Sequence, residues 1–222
     1  MPDADDNFLL ALAPGLARPQ VLEVRIKSPL DGEYELQLGA LDVYDPVVFV
    51  ADTSTAEQIR DGLADQIVSP AFDPFVTWKI LTDRFRVKGS AGDAFDFALG
   101  SPSGATSATA KIVQTAQGAT TAMRTIYLAL AIKLIDPVVY RDVTQEAQAW
   151  LAAFFCEKAI AAIAAMENLS GNGGKEASSM SLAVASVSYT SLPSVQELSA
   201  SALYGQPLAL LMEARKYGLT WS

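Results

Sequence analysis

The stretch TQEAQAWLAAFFCEKAIAAIAAMENL, residues 144–169, decides the fold. Apolar residues recur along it at three- and four-residue steps, and they cover more than half of a helix circumference. Its polar first turn suits the helix dipole, and its interior charges are the adjacent Glu157 and Lys158. A helix this apolar must be buried, and its many alanines let neighbouring helices approach closely. We therefore predict a packing helix, used within the subunit and between copies of the chain.

Composition excludes several classes of protein. The chain has 222 residues, half of them hydrophobic, which is enough for one large domain or two small ones. It has no histidine, and its one cysteine, Cys156, lies inside the apolar helix. Histidine-dependent triads, cysteine clusters for zinc and disulfides within the chain are thereby excluded. We expect Cys156 to be a buried structural thiol, and we expect neither a metal nor a cofactor.

Charge and hydropathy bear on partners and location. Residues 1–20 begin with acidic side chains and lack the positive region of a secretory signal, so we interpret them as an N-terminal arm. No run reaches the ~18 apolar residues of a membrane span, so we expect a soluble protein without membrane contact. The net charge is −9, and residues 1–119 hold 9 Lys and Arg against 17 Asp and Glu. This excess disfavours wrapping nucleic acid, but it suits a protein that surrounds sliding DNA.

Residues 21–116 are predicted to form a small α+β domain. Strands are indicated by seven segments of alternating polarity, at 21–27, 33–39, 43–51, 76–81, 84–89, 94–100 and 109–115. The turn Pro29-Leu30-Asp31-Gly32 predicts a hairpin of the first two. Residues 53–57 cap a helix that continues to about residue 68, and we expect this helix to pack on one small sheet.

Asp52, Thr53, Ile59 and Leu63, with the strands before and after their helix, form a pattern that resembles the small domain repeated in bacteriophage tail and baseplate proteins. In that domain a two-stranded start precedes a D-T-x-x-x-I-x-x-x-L helix and two further strands. The matching residues here are Asp52, Thr53, Glu57, Ile59 and Leu63, followed by the strand at 85–89 and the turn at 93–97. Helix capping and core packing explain the same residues structurally.

Residues 120–222 are predicted to be mainly helical. A helix at 122–135 ends at Asp136-Pro137, because proline disfavours helical geometry in the residue before it. The glycine-rich segment after residue 169 lacks the spacing of a phosphate loop, so we interpret it as a surface loop. Residues 181–192 read as a β arm, which alone is marginal and would pair with a neighbouring subunit. A last helix begins near Pro207.

The order of these elements resembles bacteriophage head-tail adaptor proteins of the DUF4054 type, also called neck or head-completion proteins. The resemblance covers about residues 120–218. Its carriers are Asp136-Pro137, the helix at 150–166, the glycines at 171–174, the strand residues Val184 and Val187-Ser188-Tyr189, and the segment from Tyr204-Gly205-Gln206 to Leu210. The chain departs from the family by lacking a histidine in the long helix and by carrying the α+β domain at its start.

The resemblance implies a virion structural protein and not an enzyme. About twelve copies would form a homo-oligomeric ring between the portal and the next neck or tail-completion protein, with DNA passing through the channel without specific binding. Such a protein would be made in the host cytoplasm and reside at the head-tail interface of the virion. The implied portal-binding hook is Arg215, Lys216, Tyr217, Leu219 and Trp221. The implied subunit-interface residues are Val184, Val187, Tyr189, Tyr204 and Gln206.

Other interpretations stay open. The aromatic tail could fold back onto its own bundle, since docked termini are common. The chain could be another phage tail or baseplate structural protein, which would bind tube or baseplate subunits in place of the portal. It could also be a carboxylate-dependent enzyme in which Asp93 pairs with Asp96, or Asp42 with Asp45, as acid and base or as metal ligands. Acidic residues at turns are mostly solvated, however, and no third group converges on these pairs in the sequence.

Overall fold

The computed structural model describes residues 2–39, 43–68, 70–170, 192–201 and 203–216. The chain is mixed α and β, with antiparallel sheets. The helices are α1 (Asp6–Leu12), α2 (Ala56–Ile67), α3 (Thr121–Leu134), α4 (Pro137–Tyr140), α5 (Thr144–Ser170), α6 (Val195–Ser199) and α7 (Gly205–Lys216). The strands are β1 (Ala17–Ile26), β2 (Gly32–Leu38), β3 (Val47–Ala51), β4 (Val76–Leu81), β5 (Arg84–Ala91), β6 (Phe97–Gly100), β7 (Ala108–Gln114) and β8 (Gln117–Gly118).

The chain divides into two compact units, and the first is discontinuous in sequence. Residues 1–17 and 118–222 form the helical unit, and residues 18–117 form the sheet unit. The sheet unit is thus inserted between two parts of the helical unit. Residues 1–17, which the sequence suggested belong to an arm, pack instead with the helices of the second half.

The sheet unit contains two antiparallel sheets where the sequence indicated one. The larger has the order β4-β5-β1-β7, with β8 also paired to β1, and the smaller has the order β3-β2-β6. All seven predicted strands are present, but the hairpin predicted for the first two is wrong. Strand β1 pairs with β5 and β7, whereas β2 pairs with β3 and β6. The segment between β1 and β2 therefore carries the chain from one sheet to the other.

Helix α2 lies beside β3 and β4, the edge strands of the two sheets, while β6 lies beside β7 on the other side. Its start is a capping box, in which Thr55 and Gln58 each bind the backbone N–H of the other. Gly62 is required at its position because a Cβ there would collide with the ring of Phe49. Strands and helix together enclose one core, built mainly from the inward residues of both sheets and α2: Leu22, Val24, Ile26, Tyr34, Leu36, Leu38, Ile59, Leu63, Phe85 and Val87.

Helix α5 is the centre of the helical unit, as the sequence predicted. It packs against α1, α3 and α7, and its residues from 151 to 156 are all buried. Cys156 is one of them and is fully buried. Burial raises the pKa of this thiol to about 12, although Arg124 opposes the shift. The thiol is therefore protonated at any physiological pH and is poorly reactive while the unit stays folded.

The N-terminal segment is held on this bundle by polar contacts as well as by burial. The Arg124 side chain of α3 is 1% exposed, and its Nε and Nη2 donate to the two carboxylate oxygens of Asp6 at 2.6 and 2.9 Å. The same guanidinium donates to the carbonyl of Ala119 at 2.6 Å. On α5, Gln148 accepts from the backbone N–H of Ala4 at 2.9 Å. Leu9, one turn after Asp6 on α1, is fully buried.

One helical stretch, Pro137–Ala165, is long and apolar enough to cross a membrane by length and composition. This differs from the sequence expectation, which took Glu157 and Lys158 as interruptions. A core helix passes the same test, and 56% of the most apolar window is buried. Its burial against α1, α3 and α7 favours the role of a core helix.

Candidate functional site

The turn before α7 is organised by a carboxylate of α5. Glu157 Oε2 accepts from Ser201 Oγ at 2.6 Å and from the backbone N–H of Tyr204 at 3.2 Å. Ser201 Oγ in turn accepts from the N–H of Gly205 at 2.9 Å, at the first residue of α7. A Cβ on Gly205 would collide with the carbonyl of Leu198. Glu157, which the sequence showed as an interior charge of the apolar helix, thus fixes the start of α7.

Tyr204 packs on its own subunit. Its ring stacks on Trp150 of α5, with ring centroids 6.4 Å apart and planes inclined by 28°. Burial raises the pKa of its hydroxyl, and the charge of Glu157 raises it further. Tyr204 is half-buried, so part of its side chain contributes to the surface of the helical unit.

Helix α7 presents one face to the bundle and another to solvent. Leu208, Ala209 and Leu211 are buried against α5 and α6. Leu203 and Leu210 are 64% and 61% exposed. Gln206 and Glu213 are exposed on the same side as Leu210, at three- and four-residue steps. The exposure of Leu203 and Leu210 was not predicted from the sequence, because an amphipathic pattern with several leucines does not show which of them are exposed to solvent.

The residues of the predicted portal-binding hook lie only partly in the described part of the chain. Arg215 and Lys216 are the last two residues of α7, whose backbone is described to that point. The remaining hook residues, Tyr217, Leu219 and Trp221, lie outside the described residues. So do three of the predicted subunit-interface residues, Val184, Val187 and Tyr189, together with the predicted β arm at 181–192 except its final residue. Of the other two, Gln206 is exposed and Tyr204 is partly exposed.

Residues 160–165, the last part of α5 whose side chains the structure describes, are all apolar and only partly covered by the described part of the core. Ala161, Ala164 and Ala165 are exposed, and Ile160 and Ile163 are half-buried. No polar side chain interrupts the helix between Lys158 and Glu167. Solvent-facing helices of globular proteins normally carry polar residues on their outer face. We call residues 160–165 the α5 apolar end.

The carboxylates considered for an enzyme fall in the sheet unit. Asp93 and Asp96 line a cavity of about 280 Å³ together with Tyr44, Phe75 and Phe95. Phe75 contacts Tyr44 and Phe95 edge to face, at 5.2 and 5.0 Å between ring centroids. Asp45 is exposed beside β3, and Asp42 lies outside the described residues. Within the described ranges, no group of three or more Cys, Asp or Glu side chains is placed to hold a metal ion.

Comparison with known proteins gives no family for this chain: no protein-family model matches it, and no curated protein matches it. The fold and its surfaces therefore carry the functional argument. They define an α+β chain of two units, and in the described part of the helical unit exposed alanines lie at residues 161–165 of its central helix.

Proposed function

We propose that this chain is a bacteriophage head-tail adaptor, a virion structural protein that forms a ring between the portal and the next neck or tail component. The observation that carries the proposal is the α5 apolar end, where exposed alanines lie beside isoleucines that pack against the core and are only half-buried. Exposed apolar surfaces of this kind mark sites where another protein surface binds.

Repetition of the subunit explains why this surface is rich in alanine. Alanines permit close helix–helix approach, and each isoleucine fully withdrawn from water contributes about 1.5–3 kcal/mol, or a part of it when already half-buried. In a closed ring every copy has two neighbours, so a modest contact is made once on each side of every subunit. About twelve copies, the number that the family resemblance implies, would enclose a channel for DNA that makes no specific contact with it.

The end of the chain supplies the proposed portal contact. Helix α7 is anchored through the Glu157–Ser201–Tyr204 network and the buried Leu208, so its direction is set by the bundle. In the sequence, the cations Arg215 and Lys216 at its end are followed by Tyr217, Leu219 and Trp221. Aromatic residues and arginine are the usual anchors of protein interfaces. In this proposal they bind the portal, and the β arm at 181–192 pairs with a neighbouring copy.

The experiment is to mix the purified protein with portal particles and image the complex by electron microscopy. A ring of copies at the portal rim is the expected result. Binding to tail-tube or baseplate subunits, with no binding to portal, would assign the chain to the tail instead. Portal particles that remain bare at saturating protein would refute the adaptor role.

A matched pair of variants tests the α5 apolar end. Ala164→Glu places a charge on that surface, and Ala129→Glu places the same charge at an exposed position in the middle of α3. Both replace an exposed helical alanine by a good helix former, so both subunits should fold. We expect Ala164→Glu to abolish ring formation and Ala129→Glu to leave it intact.

A truncation tests the hook separately. Deleting residues 218–222 removes Leu219 and Trp221 and should weaken portal binding without lowering the unfolding temperature of the subunit. Normal portal binding by the truncated chain would remove these residues from the proposed contact while leaving the ring proposal standing.

A further inference from the structure

The two sheets of the sheet unit present outer faces of opposite charge. In the larger sheet the inward residues Leu22, Val24, Phe85 and Val87 are buried, and the residues between them point outward. Pairing places Glu23 opposite Arg86 on one side and opposite Lys111 on the other, with Arg25 opposite Arg84. The outward cations are Arg25, Arg84, Arg86, Lys88 and Lys111, and we call this surface the basic face.

Two carboxylates organise the basic face without neutralising it. Glu23 is 7% exposed and binds Arg86 at 2.9 Å and Lys111 at 3.6 Å. The Arg86 hydrogen bond lowers the pKa of Glu23 against the opposing effect of burial. Asp83 binds Arg25 at 2.8 Å and Arg84 at 3.0 Å. Five cations against two carboxylates leave three positive charges on one face of a chain whose net charge is −9.

The smaller sheet is acidic on its outer side. Strand β2 buries Tyr34 and Leu36 and turns Glu33 and Glu35 outward. Its three strands contain no lysine or arginine. No ion pair to Glu33 or Glu35 is formed among the residues that the structure describes. We call this surface the acidic face.

Each face also has an apolar column on the strand next to its charged strand. On the basic face, Val76, Trp78 and Leu81 of β4 are opposite Lys88, Arg86 and Arg84, and they are 50%, 38% and 54% exposed. On the acidic face, Val48 and Val50 of β3 are opposite Glu35 and Glu33, and they are 36% and 68% exposed.

The two patterns have the same order across their strands. Strands β4 and β3 are both edge strands beside α2, and the charged strands β5 and β2 are next to them in their sheets. If one copy is placed behind another in the same orientation, β4 of the first faces β3 of the second, and β5 faces β2. The strand with the apolar column of one face is then opposite the strand with the apolar column of the other, and the strand with Arg84, Arg86 and Lys88 is opposite the strand with Glu33 and Glu35.

We infer that the basic face of one copy binds the acidic face of the next copy. The contact uses different surfaces on the two partners, so it is heterologous and propagates into a ring or filament. This inference deepens the proposed function, on which it rests, because it assigns neighbouring copies a contact through the sheet unit. It also accounts for the exposed Trp78, since tryptophan at the centre of a patch is a typical interface anchor.

A second copy fits these observations better than nucleic acid does. Binding to a phosphate backbone would use the basic face but would leave the acidic face and its Val48–Val50 column without a partner. The buried Glu23 in the middle of the cations would also repel phosphates. An acidic protein surface, in contrast, can meet the cations at the edge of this cluster, of which Lys88 is exposed and next to the apolar column.

Charge reversal at two exposed positions tests the contact in the full-length protein without portal. Lys88→Glu alters the basic face and Glu33→Lys alters the acidic face, and neither change removes an ion pair within the described part of the subunit. Each single variant should lower the self-association constant about tenfold, as expected when attraction between charges across an interface becomes repulsion. Sedimentation velocity over a concentration series measures this, and circular dichroism checks that each variant is folded.

Combination of the variants gives the decisive result. An equimolar mixture of Lys88→Glu and Glu33→Lys chains should associate like the wild type, because each altered face then meets a complementary one. The double variant should recover for the same reason. Cross-linking adds a geometric test with a chain carrying Lys88→Cys and Glu33→Cys, which should give a ladder of multimers with a short bismaleimide. Each single-cysteine variant should give no cross-linked multimers, since the contact pairs position 88 with position 33 and the native Cys156 is buried.

Several outcomes would overturn the inference. They are a wild-type protein that stays monomeric and gives no ladder, self-association that neither charge reversal changes, and a mixture that fails to recover. A Lys88→Glu chain that loses affinity for a short DNA duplex but associates normally would assign the basic face to nucleic acid. Portal-bound rings that ignore both reversals would refute this contact alone, whereas the expected charge pattern without portal binding would refute the adaptor role alone.

Discussion

The ion pair between Asp6 and Arg124 gives the sharpest test of how the ends of this chain are organised. It joins residues 118 positions apart and ties the N-terminal helix to α3. We consider Asp6→Asn, which keeps the size of the side chain and one acceptor oxygen but removes the charge. The guanidinium of Arg124 is almost completely buried, so the variant leaves a buried cation without its carboxylate.

The expected loss follows from the geometry. Breaking a buried ion pair by removing one partner typically costs 3–5 kcal/mol, about the range for a fully desolvated pair. Here the Asp6 side chain is 36% exposed, and Arg124 keeps its bond to the Ala119 carbonyl. Both facts place the loss near the lower limit, at about 3 kcal/mol. For a chain of this length, that corresponds to a fall of roughly 6–12 °C in the unfolding temperature.

Urea denaturation followed by far-ultraviolet circular dichroism measures the loss, because the helical unit dominates the signal. Asp5→Asn is the matched control. Asp5 is the exposed N-cap of the same helix, and asparagine caps as well as aspartate does, so its change should stay within about 0.5 kcal/mol. In an Arg124→Met background, Asp6→Asn should cost less than about 1 kcal/mol, because no buried charge remains to be orphaned.

Two results would refute this reasoning. If Asp6→Asn and Asp5→Asn had equal small effects, residues 1–17 would not be docked on the bundle as the structure places them. If Asp6→Asn were as costly without Arg124 as with it, the loss would come from helix α1 itself and not from the ion pair.

Three further predictions concern single sites. Glu23→Gln should destabilise the sheet unit at neutral pH, and the difference from wild type should shrink in acid. The stabilisation from Glu23 is fully present above the ordinary pKa of 4.5 and is lost as the pH falls through the lowered pKa of the folded state. Urea denaturation at several pH values measures this difference. Cys156 should react with a thiol reagent at the rate of unfolding, so prompt modification of the native protein would contradict its burial. Gly62→Ala should lower the free energy of unfolding by about 1–3 kcal/mol, because the added methyl group overpacks against Phe49. Adding Phe49→Leu should recover part of this loss in thermal denaturation. No recovery would mean that the loss does not come from the contact with Phe49.

The sequence predicted individual elements well because their signals are local. The strands alternate in polarity, the start of α2 carries a capping box, and α5 is too apolar to lie anywhere but in a core. Pairing between strands was not local and was predicted less well. The turn before Gly32 is compatible with a hairpin, and only the competing partners β5 and β7, more than 50 residues away, show why β1 does not pair with β2.

The N-terminal segment shows a second limit of sequence reasoning. Its acidic start suggested a solvated arm, yet Asp6 is the partner of a buried arginine that lies beyond the whole sheet unit. Nothing within residues 1–20 distinguishes a solvated carboxylate from one that compensates a distant cation. The sequence indicated the ion pair only at its other member, because Arg124 lies on a helix face with Met123 and Tyr127, which are buried.

The candidate surfaces show a third limit of sequence reasoning, since contacts between copies stay a prediction and only the exposure of side chains is observed. The apolar, alanine-rich helix α5 predicted contacts between copies, and its exposed apolar side chains lie within residues 160–165. Leu210 is exposed because α7 turns a different side to the bundle than its leucine content alone implies, and Leu203 is exposed in the turn before that helix. The opposite charges of the two sheets could not be predicted, since a single-sheet interpretation places all outward residues on one face.

The insertion of the sheet unit gives the two surfaces different constraints. The two sequence segments of the helical unit contact each other directly. The N–H of Ala119 donates to the carbonyl of Leu16 at 2.9 Å, and Arg124 forms an ion pair with Asp6. The chain therefore leaves and re-enters this unit at neighbouring points, the arrangement in which inserted domains are tolerated. The core of the helical unit does not require the sequence at 18–117 for its packing. In the sheet unit, Lys88 on the basic face and Glu33 and Glu35 on the acidic face form no ion pair within the described part of the chain, so contact with a partner explains these charges more readily than folding does.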